Sequence, residues 1–128
     1  MKTIAQQLKI KEFPFTIKDS DGSVIYREWS DGTWSKWEYA GDNLIYYENS
    51  DGYWQKWEHN TASNLIYYED SAGFWIEREY DAAGNLIYRE ESTGLIKDNR
   101  PKTDVQKAID LLTKEGLIVD GKILKTKL

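Results

Sequence analysis

The residues best suited to chemistry are glutamates that recur. Glu28, Glu48, Glu69 and Glu90 end four versions of one phrase, VIYRE, LIYYE, LIYYE and LIYRE. Paired carboxylates do acid-base work when different surroundings drive their pKa values apart, so that one stays protonated while the other ionises. Four glutamates in four copies of one phrase have like surroundings, which predicts solvated strand edges paired with Lys36 and Lys56 rather than a catalytic pair. The segments SDG and NSDG echo a calcium loop, but the remaining spacing of an EF-hand and its terminal glutamate are missing. His59 is the single histidine, and it stands where neighbouring copies carry Tyr39 and Tyr80, as one more rung of an aromatic column. With no cysteine and one histidine, zinc and haem sites lack their usual ligands. No GxSxG, SxxK or glycine-rich phosphate loop occurs. The reading is of a non-enzymatic chain with no metal and no cofactor.

What remains is binding. Six Trp and nine Tyr stand against three Phe, nearly all within the repeated region. Trp37, Trp57, Tyr47 and Tyr68 are candidates for an exposed aromatic strip, such as marks protein interfaces or sugar platforms; the bland alternative is that these rings pack on one another and under a C-terminal helix. Arg27, Arg78 and Arg89 interrupt the same columns in the outer copies, so the most apolar patch is expected at the centre. Residues 23 to 91 hold five cations and fourteen anions, a net charge of -9 within a chain whose total is -5. An acidic middle suits a basic protein surface and repels a phosphate backbone, so direct nucleic-acid binding is disfavoured. Glu48, Glu58 and Glu69 join the four aromatics as expected partner-binding residues.

The elements that must position these residues follow from an internal repeat. Ile25, Ile45, Ile66 and Ile87 are spaced by 20, 21 and 21 residues, and so are Gly32, Gly52, Gly73 and Gly94. Each period holds two runs of strand-like composition separated by turn chemistry such as Asn49-Ser50-Asp51-Gly52, which makes each unit a β-hairpin. The expected fold is mainly β, an antiparallel meander of about eight strands over residues 13–18, 23–29, 33–39, 43–48, 53–59, 64–69, 74–80 and 85–91. Alternation places Val24/Leu44/Leu65/Leu86 on one face with Tyr26/Tyr46/Tyr67/Tyr88 and Glu28/Glu48/Glu69/Glu90, and Ile25/Ile45/Ile66/Ile87 on the other. The register across the SDG turns stays open, because two-residue and three-residue loops differ by one residue and exchange the faces.

The ends differ in kind. Ile96 to Pro101 carries turn residues and a proline that stop the sheet. Thr103 to Gln106 matches a capping box, and Val105, Ala108, Ile109, Leu111 and Leu112 share a helical face, which predicts a helix over about 104 to 115 closed by Gly116. Leu117-Ile118-Val119 and Lys122-Ile123-Leu124 around Asp120-Gly121 predict a short hairpin with a type I′ turn. Helix and hairpin are expected to pack on one end or face of the sheet, and a length of 128 residues suits one domain. Met1 to Leu8 is expected to be a short helical or irregular lead-in. No run of eighteen apolar residues occurs and the N-terminus carries no secretory apolar stretch, so the expected location is the cytoplasm of the cell that makes it, away from membranes.

The segments NLIYYENSDGYWQKWEH and FWIEREYDAAGNLIYRE resemble the tandem WxKxEYDxxGNxIYYE-type repeats of small proteins encoded by bacteriophages and prophage regions. KEFPFTIKDSDG and LIKDNRPK are similar to the entry and exit sequences of that group, so the resemblance spans about residues 9 to 102. It carries no known activity. It implies a phage accessory protein that binds a host protein with a basic surface in the host cytoplasm, as inhibitors of CRISPR or restriction nucleases do. Two alternatives stay open: a virion protein that binds carbohydrate or the cell envelope through the aromatic strip, and a structural homo-oligomer assembled through sheet edges.

Overall fold

The computed structural model describes residues 1–116, 118–119 and 122–123. The chain divides into two compact units, Met1–Asp98 and Asn99–Leu128.

The first unit is a nine-stranded antiparallel meander, β1 Phe15–Lys18, β2 Val24–Glu28, β3 Trp34–Ala40, β4 Asn43–Asn49, β5 Trp54–His59, β6 Leu65–Asp70, β7 Trp75–Tyr80, β8 Leu86–Glu91 and β9 Ile96–Asp98, each strand paired with its neighbours in sequence. A helical turn, α1 Ile4–Gln7, precedes it. The ninth strand corrects the expectation that the sheet stops at Ile96. Arg89 pairs with Lys97 and Glu90 with Ile96, so the turn at Gly94 closes one more hairpin before Pro101.

The open register question has a single answer. Asn49 N–H donates to the Tyr53 carbonyl at 3.0 Å and Gly52 N–H to the Asn49 carbonyl at 3.1 Å, which is a three-residue loop with its last residue in the left-handed region. The same loop recurs at Gly22, Gly32, Gly73, Gly84 and Gly94, and at Ser63, the one place where a side chain bears the positive φ of 65°. β3 and β4 are the exception. Ala40 pairs directly with Asn43, leaving the two-residue loop Gly41-Asp42, and this missing residue is why the first repeat spacing is 20 rather than 21.

A second regularity is invisible in composition. Glu38 pairs with Tyr46 and Tyr39 with Leu44, so Ile45 has no partner of its own and forms a bulge. Ile25, Ile66 and Ile87 do the same at the β1–β2, β5–β6 and β7–β8 ladders. The bulge corrects the expected faces. The leucine column moves to the side of Tyr39, His59 and Tyr80, while the isoleucines join Tyr46, Tyr67 and Tyr88.

The sheet is a single layer with little enclosed core. Among the described residues Ala5 and Tyr26 are the buried apolar ones, and most strand residues are half-buried. Its cohesion therefore rests on backbone ladders and cross-strand side-chain pairs, each of the latter contributing roughly 0.2–1 kcal/mol. Serines add a clamp between repeats. Ser50 Oγ accepts from Trp34 N–H, Ser71 Oγ from Trp54 N–H and Ser92 Oγ from Trp75 N–H, each at 3.1 Å, while the serine amides donate to the same tryptophans' carbonyls.

In the second unit, α2 Asp104–Lys114 is capped by Thr103, whose hydroxyl accepts from Gln106 N–H, in agreement with the expected helix. Val105, Leu111 and Leu112 are exposed. β10 Ile118–Val119 pairs with β11 Lys122–Ile123, the expected hairpin; its Asp120-Gly121 turn lies outside the described residues.

Candidate binding surfaces on two unlike faces

Strand alternation, with the bulges included, sorts the charges onto opposite sides. One face carries Glu28, Glu38, Glu48, Glu58, Glu69, Glu77, Glu79, Glu90 and Asp98 against Lys36 and Lys56, nine anions to two cations, a net of -7. The other carries Lys18, Arg27, Arg78, Arg89 and Lys97 against Asp70 and Glu91, a net of +3. The seven residues expected to bind a partner are divided between the two faces. Glu48, Glu58 and Glu69 lie on the carboxylate face, and Trp37, Tyr47, Trp57 and Tyr68 on the other.

On the carboxylate face the glutamates have different employment. Glu48 is ion-paired to Lys36 at 3.2 Å, and Glu69 accepts from the Tyr67 hydroxyl at 3.2 Å. Glu38, Glu58 and Glu77 are exposed. They line two neighbouring hollows. Glu38, Ile45, Tyr46, Lys56, Glu58 and Ile66 border one; Glu58, Ile66, Tyr67, Glu77, Glu79 and Ile87 border the next, with Glu77 where the first has Lys56. Each brings bulge isoleucines together with carboxylates, beside Trp57 and His59 in the first and Arg78 and Tyr80 in the second. Burial raises the pKa of Tyr67, and the hydrogen bond to Glu69 with the fields of Glu69, Glu77 and Glu58 raises it further.

Glu28 breaks the equivalence that the repeat suggests. It is 1% exposed and accepts from Thr3 Oγ1 at 2.5 Å, Ala5 N–H at 3.1 Å and Tyr26 Oη at 2.8 Å. Burial pushes its carboxyl up, and the three hydrogen bonds outweigh that and hold it below its ordinary value. Tyr26 is pushed up to about 12 by burial first and by its bond to Glu28 second. This glutamate is no solvated edge but the anchor of the N-terminal segment. The overlooked signal was Thr3-Ile4-Ala5-Gln6, a reciprocal capping box in which Gln6 N–H donates to Thr3 Oγ1 and Thr3 N–H to Gln6 Oε1.

On the opposite face the aromatics form two like clusters. Trp37, Tyr47 and Tyr53 lie with successive ring centroids 5.6 and 6.4 Å apart, and Trp57, Tyr68 and Phe74 at 5.7 and 6.2 Å, all tilted. These rings pack on one another. Their hydroxyls are also held: Tyr47 shares a hydrogen bond with Ser35 Oγ at 3.0 Å, while Tyr68 accepts from Gln55 at 2.9 Å and donates to Asp70 at 3.0 Å. Burial above all pushes Tyr68 up to about 12. His59 sits opposite Leu65, half-buried, in the column shared with Tyr39 and Tyr80.

Among the described residues no group of three or more His, Cys, Asp or Glu is arranged to hold a metal ion, and no helix is long and apolar enough to cross a membrane. No protein-family model and no curated protein matches this chain.

Proposed function

We propose that this chain is a non-catalytic protein-binding module that presents its carboxylate face to a basic surface on a partner protein. The observation that carries the reading is the concentration of eight anions, besides the buried Glu28, against two cations on one side of the sheet, around hollows bordered by Ile45, Ile66 and Ile87. A lysine or arginine side chain has an apolar stem and a cationic head. Such a residue fits a floor of isoleucine and tyrosine walled by Glu58 and Glu77. Complementary potentials of this kind accelerate encounter and select partners. The resemblance to phage-encoded repeats makes a host protein the favoured partner, and a defence nuclease of the CRISPR or restriction type supplies the basic surface that the reading calls for.

The test is affinity capture from the bacterial host with the intact chain, beside a Glu38→Gln/Glu58→Gln/Glu77→Gln variant. All three residues are exposed, so the variant keeps the fold. Capture of one predominant protein, weakened by added salt and by the variant, is the expected result. Equal capture by both forms overturns the reading. A second reading, carbohydrate binding, draws on the aromatic clusters of the opposite face. Glycan binding lost in Trp57→Ala and insensitive to salt would favour it.

A further inference from the structure

The third repeat replaces an aromatic pair with two arginines. Trp37 faces Tyr47 and Trp57 faces Tyr68, but in the equivalent rung Arg78 faces Arg89, and Lys97 of β9 continues the row. Like charges directly opposite each other destabilise a sheet, because their side chains start only about 5 Å apart. The compensation within the row is incomplete. Arg89 is ion-paired to Glu91, its neighbour on the same strand and face. Arg78 and Lys97 make no hydrogen bond or ion pair among the described residues, and the Nε atoms of both Arg78 and Arg89 are buried without a partner. Three cations therefore meet one carboxylate on a rung that two other repeats fill with neutral rings.

We infer that Arg78, Arg89 and Lys97 form an anion-binding site for a tetrahedral phosphate dianion. A tetrahedral dianion placed over the rung accepts from two guanidinium forks and an ammonium at once, and so relieves the repulsion between them. Its neighbours on this face, Ile76 along β7 and Tyr68 across from it, form an apolar flank. The group is either free phosphate or the phosphoryl end of a ligand that also uses that flank. Arg89 and Lys97 lie on the opposite face from the proposed protein-docking surface, while Arg78 also borders its second hollow.

The intact protein is titrated with inorganic phosphate and, separately, with a nucleoside monophosphate, at constant ionic strength and with chloride as reference. Binding is read by calorimetry and by the shifts of the arginine Nε–H resonances. Arg78→Trp/Arg89→Tyr installs the pair found in the other repeats and keeps the fold; Arg27→Gln removes a cation elsewhere on the same face. One-site binding is expected in the wild type, about tenfold or more weaker in the double variant and unchanged in Arg27→Gln. Tighter binding of the nucleotide supports the site with a larger ligand, and equal binding supports it with free phosphate. Absence of binding to either probe, or equal loss in Arg27→Gln, overturns the inference.

Discussion

Glu28→Ala should destabilise the sheet by about 3 kcal/mol, although the same substitution at Glu48 should cost only about 0.5 kcal/mol. Glu28 is 1% exposed, and its removal leaves the Tyr26 hydroxyl and the Ala5 amide without an acceptor in a buried site, together with the Thr3 hydroxyl. A buried donor left unsatisfied costs about 1–3 kcal/mol, and recovery of the carboxylate's own desolvation offsets part of the total. Glu48 loses only a half-exposed ion pair with Lys36, which belongs to the range of about 0–1 kcal/mol. Urea unfolding followed by tryptophan fluorescence measures both, and amide exchange across residues 4–8 tells whether α1 is released before the sheet unfolds. The carboxyl's lowered pKa fixes the pH dependence. A group that ionises more easily folded than unfolded contributes stability above its ordinary value of 4.5, and that contribution is lost as pH falls through the folded value. Glu28→Gln should therefore flatten the acid limb of the stability curve. If Glu28→Ala and Glu48→Ala unfold within about 0.5 kcal/mol of each other, the anchor argument is wrong.

Three further outcomes follow from the same geometry. Ser71→Ala removes the acceptor of the Trp54 amide and should cost about 1 kcal/mol, with faster exchange at that amide; Ser92→Ala should do the same for Trp75. Ser63→Gly relieves the one side chain held at positive φ in the three-residue loops and should stabilise by about 1 kcal/mol in thermal unfolding, whereas Gly73→Ala should destabilise by a similar amount. Spectrophotometric titration should show Tyr26 and Tyr68 ionising at about 12; because their raised values favour the neutral phenol in the folded state, that stabilisation is full below the ordinary value of 10 and is lost as pH rises beyond it.

Much of the sheet is legible in the sequence because like residues must stack in rows. The spacing of Ile25, Ile45, Ile66 and Ile87 marks the repeat, and the turn residues mark where the chain reverses. The bulges are not legible, since a bulge is a relation between two strands. Ile45 looks like any alternating residue until the pairing of Glu38 with Tyr46 and Tyr39 with Leu44 leaves it unmatched. The error in face assignment has that single source. Glu28 was hidden differently, by belonging to a column whose other members, Glu48, Glu69 and Glu90, have no N-terminal segment to anchor. Arg78 and Arg89 stand out in the sequence as departures from an aromatic column, but only the register shows that they face each other.

The bulges also decide what the charge of this chain means. Averaged over residues 23 to 91 the sequence reads as uniformly acidic, which argues against any anionic ligand. Within that stretch alternation leaves a face of -6 and a face of +1, with four aspartates in the loops; Lys18, Lys97 and Asp98 of the end strands bring the two faces to -7 and +3. Side chains on opposite sides of a single layer end roughly 10 Å apart, a little more than the screening length of about 8 Å at physiological ionic strength. A ligand in contact with one face therefore responds mainly to that face. The bulges exchange the aliphatic columns, bringing Ile45, Ile66 and Ile87 to the side of the tyrosines and Leu44, Leu65 and Leu86 to the other, and each side keeps one aliphatic residue per repeat. Two chemically distinct and partly apolar surfaces result from one layer, one dominated by carboxylates and one by guanidinium groups and aromatic rings.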